Sequence, residues 1–241
     1  MMKEEINIYP NTTALSEGFT QFIQKLLDVY PRINLCLSGG TTPKSIFEYW
    51  AENCKESIDW ERITFFWGDE RCVPPENPMN NFGMTKEHLF DKIPNISYRN
   101  LKRMHGENEA HEEAEWYSRI LERKVLQRKG VPCFEIIMLG LGDDGHTVSI
   151  FPNQIELWDS EENCVVATHP ESGMERVSIT GKVVNNAQYA VFLATGKNKA
   201  EKVRDIIQQR EKYMATLPAA KVNPEYGYLC WFLDEDAASL L

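Results

Sequence analysis

Short apolar runs along this chain alternate with segments in which apolar residues recur at helical spacing. Runs of this kind are typical of strands that are buried on both faces of a parallel sheet. One further segment alternates strictly, so that Val177 and Ile179 share one face and Arg176, Ser178 and Thr180 share the other. The predicted strands cover residues 6–9, 32–37, 62–67, 136–139, 163–168, 176–180, 188–194 and 228–233.

Helices are predicted between these strands. Asn11 is expected to cap the first, and Thr42 the second, with Pro43 at its first helical position. Because strands and helices alternate over almost the whole length, the pattern predicts an α/β fold with a doubly wound, mostly parallel sheet and helices on both faces. We expect a single domain, residues 1–241. The predicted helices cover residues 12–29, 43–54, 84–90, 107–128 and 200–210, with a further short helix after Asp234.

Glycine-rich or charged turns follow four of the predicted strands, at residues 39–42, 69–71, 144–146 and 197–199. The carboxyl ends of parallel strands lie at one edge of a sheet, where open α/β sheets bind their ligands, so we expect these turns to meet. Taken alone, each of these turns can equally be a capped turn that binds no ligand. Together, with Arg176 as a further cation, they predict a site for a small phosphorylated, oxygen-rich molecule.

The stretch 136–152, I-I-M-L-G-L-G-D-D-G-H-T-V-S-I-F-P, carries the most chemistry. An apolar strand ends there in a turn that holds Asp143, Asp144 and His146 among glycines, which let the backbone approach a ligand closely. The turn at 39–42 precedes a predicted helix, whose N-terminal N–H groups and dipole favour phosphate. That turn lacks the Gly-Lys-Ser/Thr of a P-loop.

Composition and charge narrow the function. The net charge of −10 over 241 residues gives no electrostatic support for binding nucleic acid. No stretch approaches the roughly 20 apolar residues of a membrane span, and the N-terminus lacks a signal-peptide pattern, so we expect a cytoplasmic protein with no membrane partner. The six cysteines form no C-x-x-C pair, which predicts free thiols and no zinc site. The predicted site requires no metal and no cofactor.

The chain resembles the 6-phosphogluconolactonases, a family within the glucosamine-6-phosphate deaminase/isomerase-like superfamily of Rossmann-like folds. The resemblance rests on blocks that run in family order from about residue 35 to the C-terminus. These blocks are L-S-G-G-T-T-P at 37–43, G-D-E-R at 68–71, N-F-G at 81–83, L-G-L-G-D-D-G-H-T-V-S-I-F-P at 139–152, R-V-S-I-T at 176–180, A-T-G-K-N-K-A at 194–200, L-P-A-A at 217–220 and C-W-F-L-D at 230–234.

The resemblance implies hydrolysis of 6-phospho-D-glucono-1,5-lactone to 6-phospho-D-gluconate, in the oxidative pentose phosphate pathway. By similarity, His146 is the general acid/base, a task that suits a side chain with an ordinary pKa of about 6.5. Asp144 orients its imidazole, and Arg71 stabilises the developing negative charge or holds substrate hydroxyls. The residues implied in holding the substrate are Gly39, Gly40, Thr41, Arg176 and Lys199 for the phosphate, with Asp69 and Asn81 as positioning residues.

The sequence departs from the family pattern at two positions. Asn80 stands where the family commonly has Ser, and Asp143 where it commonly has Pro. We expect the extra charge of Asp143 to lie near His146 and to raise its pKa. The remaining histidines lack a glycine turn and a paired acid, so we assign them no catalytic role: His88, His105, His111 and His169.

Two other functions fit part of the pattern. An amino-sugar-phosphate deaminase/isomerase needs a further carboxylate base, which that family supplies in an Asn-Glu-Pro segment after the Asp-Gly-His turn. Here S-I-F-P occupies residues 149–152. A non-enzymatic sugar-phosphate sensor needs the phosphate site but neither His146 nor Arg71. The sequence leaves open whether the protein forms a homo-oligomer.

Overall fold

The centre of the structure is a seven-stranded sheet in which every neighbouring pair of strands is parallel. The computed structural model describes residues 3–241. In chain order the strands of the described residues are β1 (Lys3–Tyr9), β2 (Ile33–Leu37), β3 (Ile63–Trp67), β4 (Asp69–Arg71), β5 (Leu101–Lys102), β6 (Gln127–Arg128), β7 (Val131–Pro132), β8 (Ile136–Leu139), β9 (Cys164–Thr168), β10 (Glu175–Ile179), β11 (Tyr189–Ala194) and β12 (Tyr228–Asp234).

The order of the strands across this sheet is β1-β12-β11-β8-β2-β3-β5. From β2 the chain moves outward to β3 and β5, and from β8 it moves outward in the opposite direction to β11 and β12. The direction therefore reverses between β2 and β8, which is the kind of switch point where open α/β sheets form a ligand crevice. The four turns predicted to meet follow β2, β3, β8 and β11, which are neighbours in the sheet.

Helices cover both faces of the sheet and enclose two hydrophobic cores, which confirms the predicted doubly wound α/β fold. Along β8, Ile136 and Met138 point into one core, while Ile137 and Leu139 point into the other. Among residues 3–241, no helix is both long and apolar enough to cross a membrane. The helices are α1 (Thr12–Val29), α2 (Thr41–Asn53) and α3 (Asn81–His88) on the first core, and α4 (Ala110–Lys124), α5 (Gly181–Val184) and α6 (Ala200–Tyr213) on the second.

Asn11 caps α1 as predicted, with its side chain accepting from the Ala14 N–H, but the predicted starts of two other helices are wrong. Thr42 does not cap α2, because the helix already begins after Gly40. The φ of Gly40 is 98°, a backbone conformation that glycine adopts readily. Helix α3 begins three residues earlier than predicted, because the Asn80 side chain accepts a hydrogen bond from the Gly83 N–H at 2.8 Å.

Two further helix predictions are also wrong. The charged helix predicted over 107–128 is shorter, because the Glu109 side chain caps it and the chain beyond Val125 enters the β6–β7 hairpin. The helix predicted after Asp234 is replaced by turns. The Asp234 carboxylate instead accepts hydrogen bonds from the Gly196 and Ala237 N–H groups.

A second, three-stranded antiparallel sheet of order β4-β10-β9 is the main feature that the sequence did not predict. The charged segment 69–71, predicted as a turn, forms the short strand β4 and pairs with β10. Its register places Arg71 opposite Arg176 and Asp69 opposite Ser178. This small sheet therefore brings a cation from a distant part of the chain to the carboxyl end of β3.

Candidate active site

A cleft of about 210 Å³ opens at the carboxyl ends of β2, β3, β8 and β11. Every site residue predicted from the sequence lines it, except Asp144, which reaches the cleft through its hydrogen bond to His146. The lining residues are Ser38, Gly39, Gly40, Thr41, Thr42, Pro43, Asp69, Arg71, Asn81, Gly140, Leu141, Gly142, His146, Val148, Arg176, Leu193 and Lys199.

The imidazole of His146 is held by Asp144. The Oδ1 atom of Asp144 lies 2.7 Å from the ring Nδ1 and also accepts from the His146 main-chain N–H at 3.0 Å. Partial burial alone raises the pKa of the Asp144 carboxyl, but the hydrogen bonds and charge of His146 outweigh it and lower the pKa to about 2. An ionised carboxylate only accepts, so Nδ1 carries a proton and Nε2 remains available for proton transfer.

Glycines make room for this pair. A Cβ atom on Gly142 would lie 2.2 Å from the His146 Nδ1 and 2.6 Å from the Asp144 Oδ1, so any larger residue would displace the pair. Gly145 has a φ of 88° and its carbonyl accepts from the Ala219 N–H. The turn is thereby tied to the segment 217–220, and its shape depends on both glycines.

Two arginines face each other across β4 and β10. Arg71 and Arg176 are directly opposed partners, an arrangement that is unfavourable for like charges unless an anion lies between or beside them. The Nε atoms of both are buried and have no hydrogen-bond partner among the described residues. Burial lowers the pKa of the Arg176 guanidinium, while the nearby Asp69 carboxylate opposes that effect. The pair offers donors for an anionic ligand.

Asp69 and Arg176 are connected through Ser149. The buried Ser149 hydroxyl lies 2.5 Å from Asp69 Oδ2, and the Arg176 Nη1 lies 3.5 Å from the same hydroxyl. The preceding residue, Val148, has a φ of 47°, a conformation that costs a β-branched residue about 1–3 kcal/mol. The strained turn brings Ser149 against Asp69, at the floor of the cleft.

Asn81 closes the cleft beside Gly39. The Asn81 amide donates to the main-chain carbonyl of Asp69 at 2.9 Å. A Cβ atom on Gly39 would lie 1.9 Å from the Asn81 Oδ1, so this close approach requires glycine. Gly40 has no side-chain cap hydrogen bond, and the space around it is open. The N-terminus of α2 therefore faces the cleft without a competing side chain.

The lysine turn contributes Lys199, and Asp143 accompanies it. The Lys199 Nζ lies 2.5 Å from Asp143 Oδ1, which also accepts from the Asn198 amide at 3.0 Å. We expected the charge of Asp143 to act on His146, but the structure places its carboxylate on Lys199 instead. Asp143 is consequently a neighbour of the predicted phosphate site.

Three residues that contribute to the site were not predicted from the sequence. Ser149 connects Asp69 and Arg176, and Glu70 lies buried behind Arg71. The ring of Phe151 packs 4.7 Å from the His146 ring and 5.4 Å from the Arg176 guanidinium. All three lie in blocks that resemble the family, but Ser149 and Phe151 read as part of an apolar segment and Glu70 as a surface charge, so none was assigned to the site.

Comparison with known proteins identifies the family. The model of the family described as glucosamine-6-phosphate isomerases/6-phosphogluconolactonase matches residues 11–231. A 6-phosphogluconolactonase of Treponema pallidum is 40% identical over 83% of this chain and 83% of its own. The human 6-phosphogluconolactonase is 37% identical over 98% of this chain and 93% of its own.

A solved structure agrees with both sequence comparisons. The structure of 6-phosphogluconolactonase from Trypanosoma brucei superposes with a TM-score of 0.87 at 26% identity and covers both chains completely, 100% of each. The matched range of the family model includes all four turns of the cleft, and both relatives cover most of the chain. The chain therefore belongs to the family of glucosamine-6-phosphate isomerases and 6-phosphogluconolactonases.

Proposed function

We propose that this protein hydrolyses 6-phospho-D-glucono-1,5-lactone to 6-phospho-D-gluconate, a step of the oxidative pentose phosphate pathway. The observation that carries the proposal is the His146–Asp144 pair, which shares one cleft with Arg71, Arg176 and Lys199. The histidine supplies proton transfer, and the cations suit a substrate that carries a phosphate and develops a second negative charge at its carbonyl. The names of the relatives agree with this reaction.

Proton transfer by His146 accounts for both halves of the reaction. Its Nε2 takes a proton from water, whose oxygen forms a bond to C1 of the lactone and makes a tetrahedral oxyanion. Arg71 stabilises that charge. When the bond between C1 and the ring oxygen breaks, the protonated imidazole returns the proton to that oxygen, which leaves as the C5 hydroxyl. Asp144 keeps Nδ1 protonated and stabilises the imidazolium between the two steps.

The phosphate is assigned to the residues around the α2 N-terminus and the two flanking cations. Gly39, Gly40 and Thr41 present main-chain N–H groups, which together with the helix dipole favour a dianion. Arg176 and Lys199 add charge-assisted hydrogen bonds. Asp69 and Asn81 hold the floor of the cleft and position the substrate rather than react with it.

The two alternative functions have less support. A deaminase/isomerase needs a further carboxylate after the histidine turn, whereas Ser149 there is buried and bonded to Asp69. A sugar-phosphate sensor has no use for a histidine whose tautomer is set by a carboxylate. The arrangement of His146 and Asp144 therefore favours a hydrolase.

The direct test is hydrolysis of freshly generated 6-phosphogluconolactone, followed as 6-phosphogluconate and compared with the spontaneous reaction. We expect strong acceleration, and a much weaker effect on D-glucono-1,5-lactone, which lacks the phosphate but has the same ring. Equal acceleration of the two lactones would overturn the assignment of the phosphate site. Binding of 6-phosphogluconate without acceleration of either lactone would instead support the sensor.

Asp143 provides a prediction about affinity. Its carboxylate lies against Lys199 and is 68% exposed, so it reduces the positive potential that the phosphate meets. We expect Asp143→Asn to lower the KM for the phosphorylated lactone about two- to fivefold at low salt, with kcat unchanged and a smaller effect at high salt.

Asp159→Asn is the matched control for this prediction. Asp159 is 67% exposed and pairs with Lys221, an ion pair of similar exposure that does not line the cleft. Its removal should leave KM unchanged. A rise in KM for Asp143→Asn would show that Asp143 holds Lys199 in place for the substrate rather than opposing the phosphate.

We also propose that residues 1–241 act as one domain in a reducing, cytoplasmic compartment. The two cores share the strands of a single sheet, so neither core is independent of the other. All six cysteines are free thiols, and five of them are buried, which suits a compartment in which disulfides do not form.

A further inference from the structure

Glu70 is a buried carboxylate that the proposed mechanism does not use. It is 1% exposed, and its oxygens accept three main-chain N–H groups. Oε1 accepts from Arg71 at 2.8 Å and from Asn81 at 2.7 Å, and Oε2 accepts from Phe82 at 2.8 Å. Among residues 3–241, no lysine, arginine or histidine forms an ion pair with it. A buried, unpaired carboxylate is costly, so its presence calls for a specific role.

These hydrogen bonds join the two ends of one loop. Arg71 and Asn81 both line the cleft, and the segment 72–80 runs between them. The Arg71 guanidinium donates to the Met79 carbonyl within the same loop. Glu70 accepts from the N–H groups of the first two residues of α3, and the Asn80 side chain caps the same helix through the next N–H group. One carboxylate thus sets the distance between Arg71 and Asn81.

We propose that Glu70 is a positioning residue, whose carboxylate holds the backbone of Arg71 and of Asn81 in the geometry that the lactone requires. The inference rests on the proposed function. It adds to that function a buried group that touches no substrate. A displacement of about 1 Å at reacting groups costs on the order of 10²-fold in rate, so loosening this connection should be measurable as lost activity.

The charge state of Glu70 gives the inference a pH dependence. Burial raises the pKa of Glu70 to about 7, against the lowering effect of its three hydrogen bonds. The charged and titratable groups that face it are Asp69, Arg71, Cys72, Arg103 and Arg176. Protonation turns one carboxylate oxygen into a donor that faces a main-chain N–H, so fewer acceptors remain for the three donors.

The effects of pH on activity and on stability have opposite signs here. A carboxyl with a raised pKa binds a proton more readily in the folded protein than in the unfolded chain. Between its unfolded pKa and about 7, lowering the pH therefore stabilises the fold through this group. Activity should nevertheless fall over the same range, because the hydrogen bonds that position Arg71 weaken. A role of Glu70 confined to stability would add nothing to the fall of activity with pH.

The test compares Glu70→Gln with Glu135→Gln. Glu135 also accepts a main-chain N–H, from Asn34 at 2.7 Å, and burial also raises its pKa, but it lies at the amino end of the strands, away from the cleft. At about pH 7.5 we expect Glu70→Gln to lower kcat about 10- to 100-fold with little change in KM, and Glu135→Gln to change neither more than about twofold.

The pH profile separates positioning from folding. The acid limb of log kcat/KM should be less steep in Glu70→Gln than in the wild type, by a slope of about 1, because the amide does not take up a proton over this range. Full activity in Glu70→Gln with an unchanged slope would overturn the inference. If the variant fails to fold, a wild-type kcat/KM that stays constant between about pH 8 and about pH 6 overturns it equally. Failure of the wild type to hydrolyse the lactone would contradict the proposed function instead.

Discussion

His146→Ala should lower kcat for 6-phosphogluconolactone hydrolysis by about 10²- to 10⁴-fold, the range expected when a general acid/base is removed. Among residues 3–241, no cysteine and no second histidine lines the cleft. The lysine that lines it, Lys199, is paired with Asp143. Binding of the substrate phosphate and the position of Arg71 do not depend on the imidazole, so KM should change little. Because the lactone also opens spontaneously, the rate must be measured at several enzyme concentrations. The rate extrapolated to zero enzyme is the spontaneous background, and kcat is taken from the slope.

His169→Ala is the control for this experiment. The Phe151 ring lies between the two histidines, 4.7 Å from His146 and 5.2 Å from His169, so both variants remove an aromatic contact of the same residue. His169 does not line the cleft, and its loss should leave kcat within about twofold of the wild type if only proton transfer matters. If His146→Ala retains more than about a tenth of kcat, the proposed reaction stands but His146 is not its general base.

The parallel sheet and the meeting of its four turns could be predicted because they depend on local patterns. An apolar run such as 136–139 and the glycines that follow it specify a buried strand and a close turn within a few residues. Topology then follows from the alternation of strands and helices, since parallel connections leave few arrangements. Placement of Gly39, Arg71, His146 and Lys199 at one edge needed no knowledge of side-chain packing.

The antiparallel sheet could not be predicted in the same way. Strand β4 has three residues, too few for any periodicity, and its partner β10 lies far along the chain. The sequence predicted alternation in 176–180 but gave no partner for it, so the opposition of Arg71 and Arg176 was not foreseen. Pairing between distant segments depends on tertiary packing, which also decides the exact ends of helices such as α3 and α4.

Buried polar residues escaped prediction for a related reason. Glu70 and Ser149 are ordinary surface residue types, and only the fold reveals that both are buried and bonded to neighbours of the cleft. For Asp143 the sequence suggested a wrong partner. It is close to His146 in sequence, but its carboxylate contacts Lys199 in the structure. Motifs identify which residues meet, whereas the partner of each charge is a property of the folded chain.

Arg71→Lys should lower kcat/KM about 10²- to 10³-fold, the loss that follows removal of one preorganised donor to an oxyanion. The Arg71 guanidinium is anchored at one end by its bond to the Met79 carbonyl, and its buried Nε has no partner among the described residues. A lysine keeps the charge but has neither the planar fork of donors nor the same anchor. The positive charge alone should therefore not restore the rate.

The division of this loss between kcat and KM decides which role Arg71 has. A fall in kcat with KM unchanged means that the guanidinium acts on the tetrahedral oxyanion, whereas a rise in KM alone means that it holds hydroxyls of the bound substrate. Arg103→Lys is the control, because Arg103 pairs with Glu107 at 2.5 Å outside the cleft. Arg71 stands directly opposite Arg176, so the repulsion between the two charges has a cost in the stability of the free protein. That cost is understandable if the charge is needed in the transition state, so an unchanged kcat would contradict this explanation of the pair.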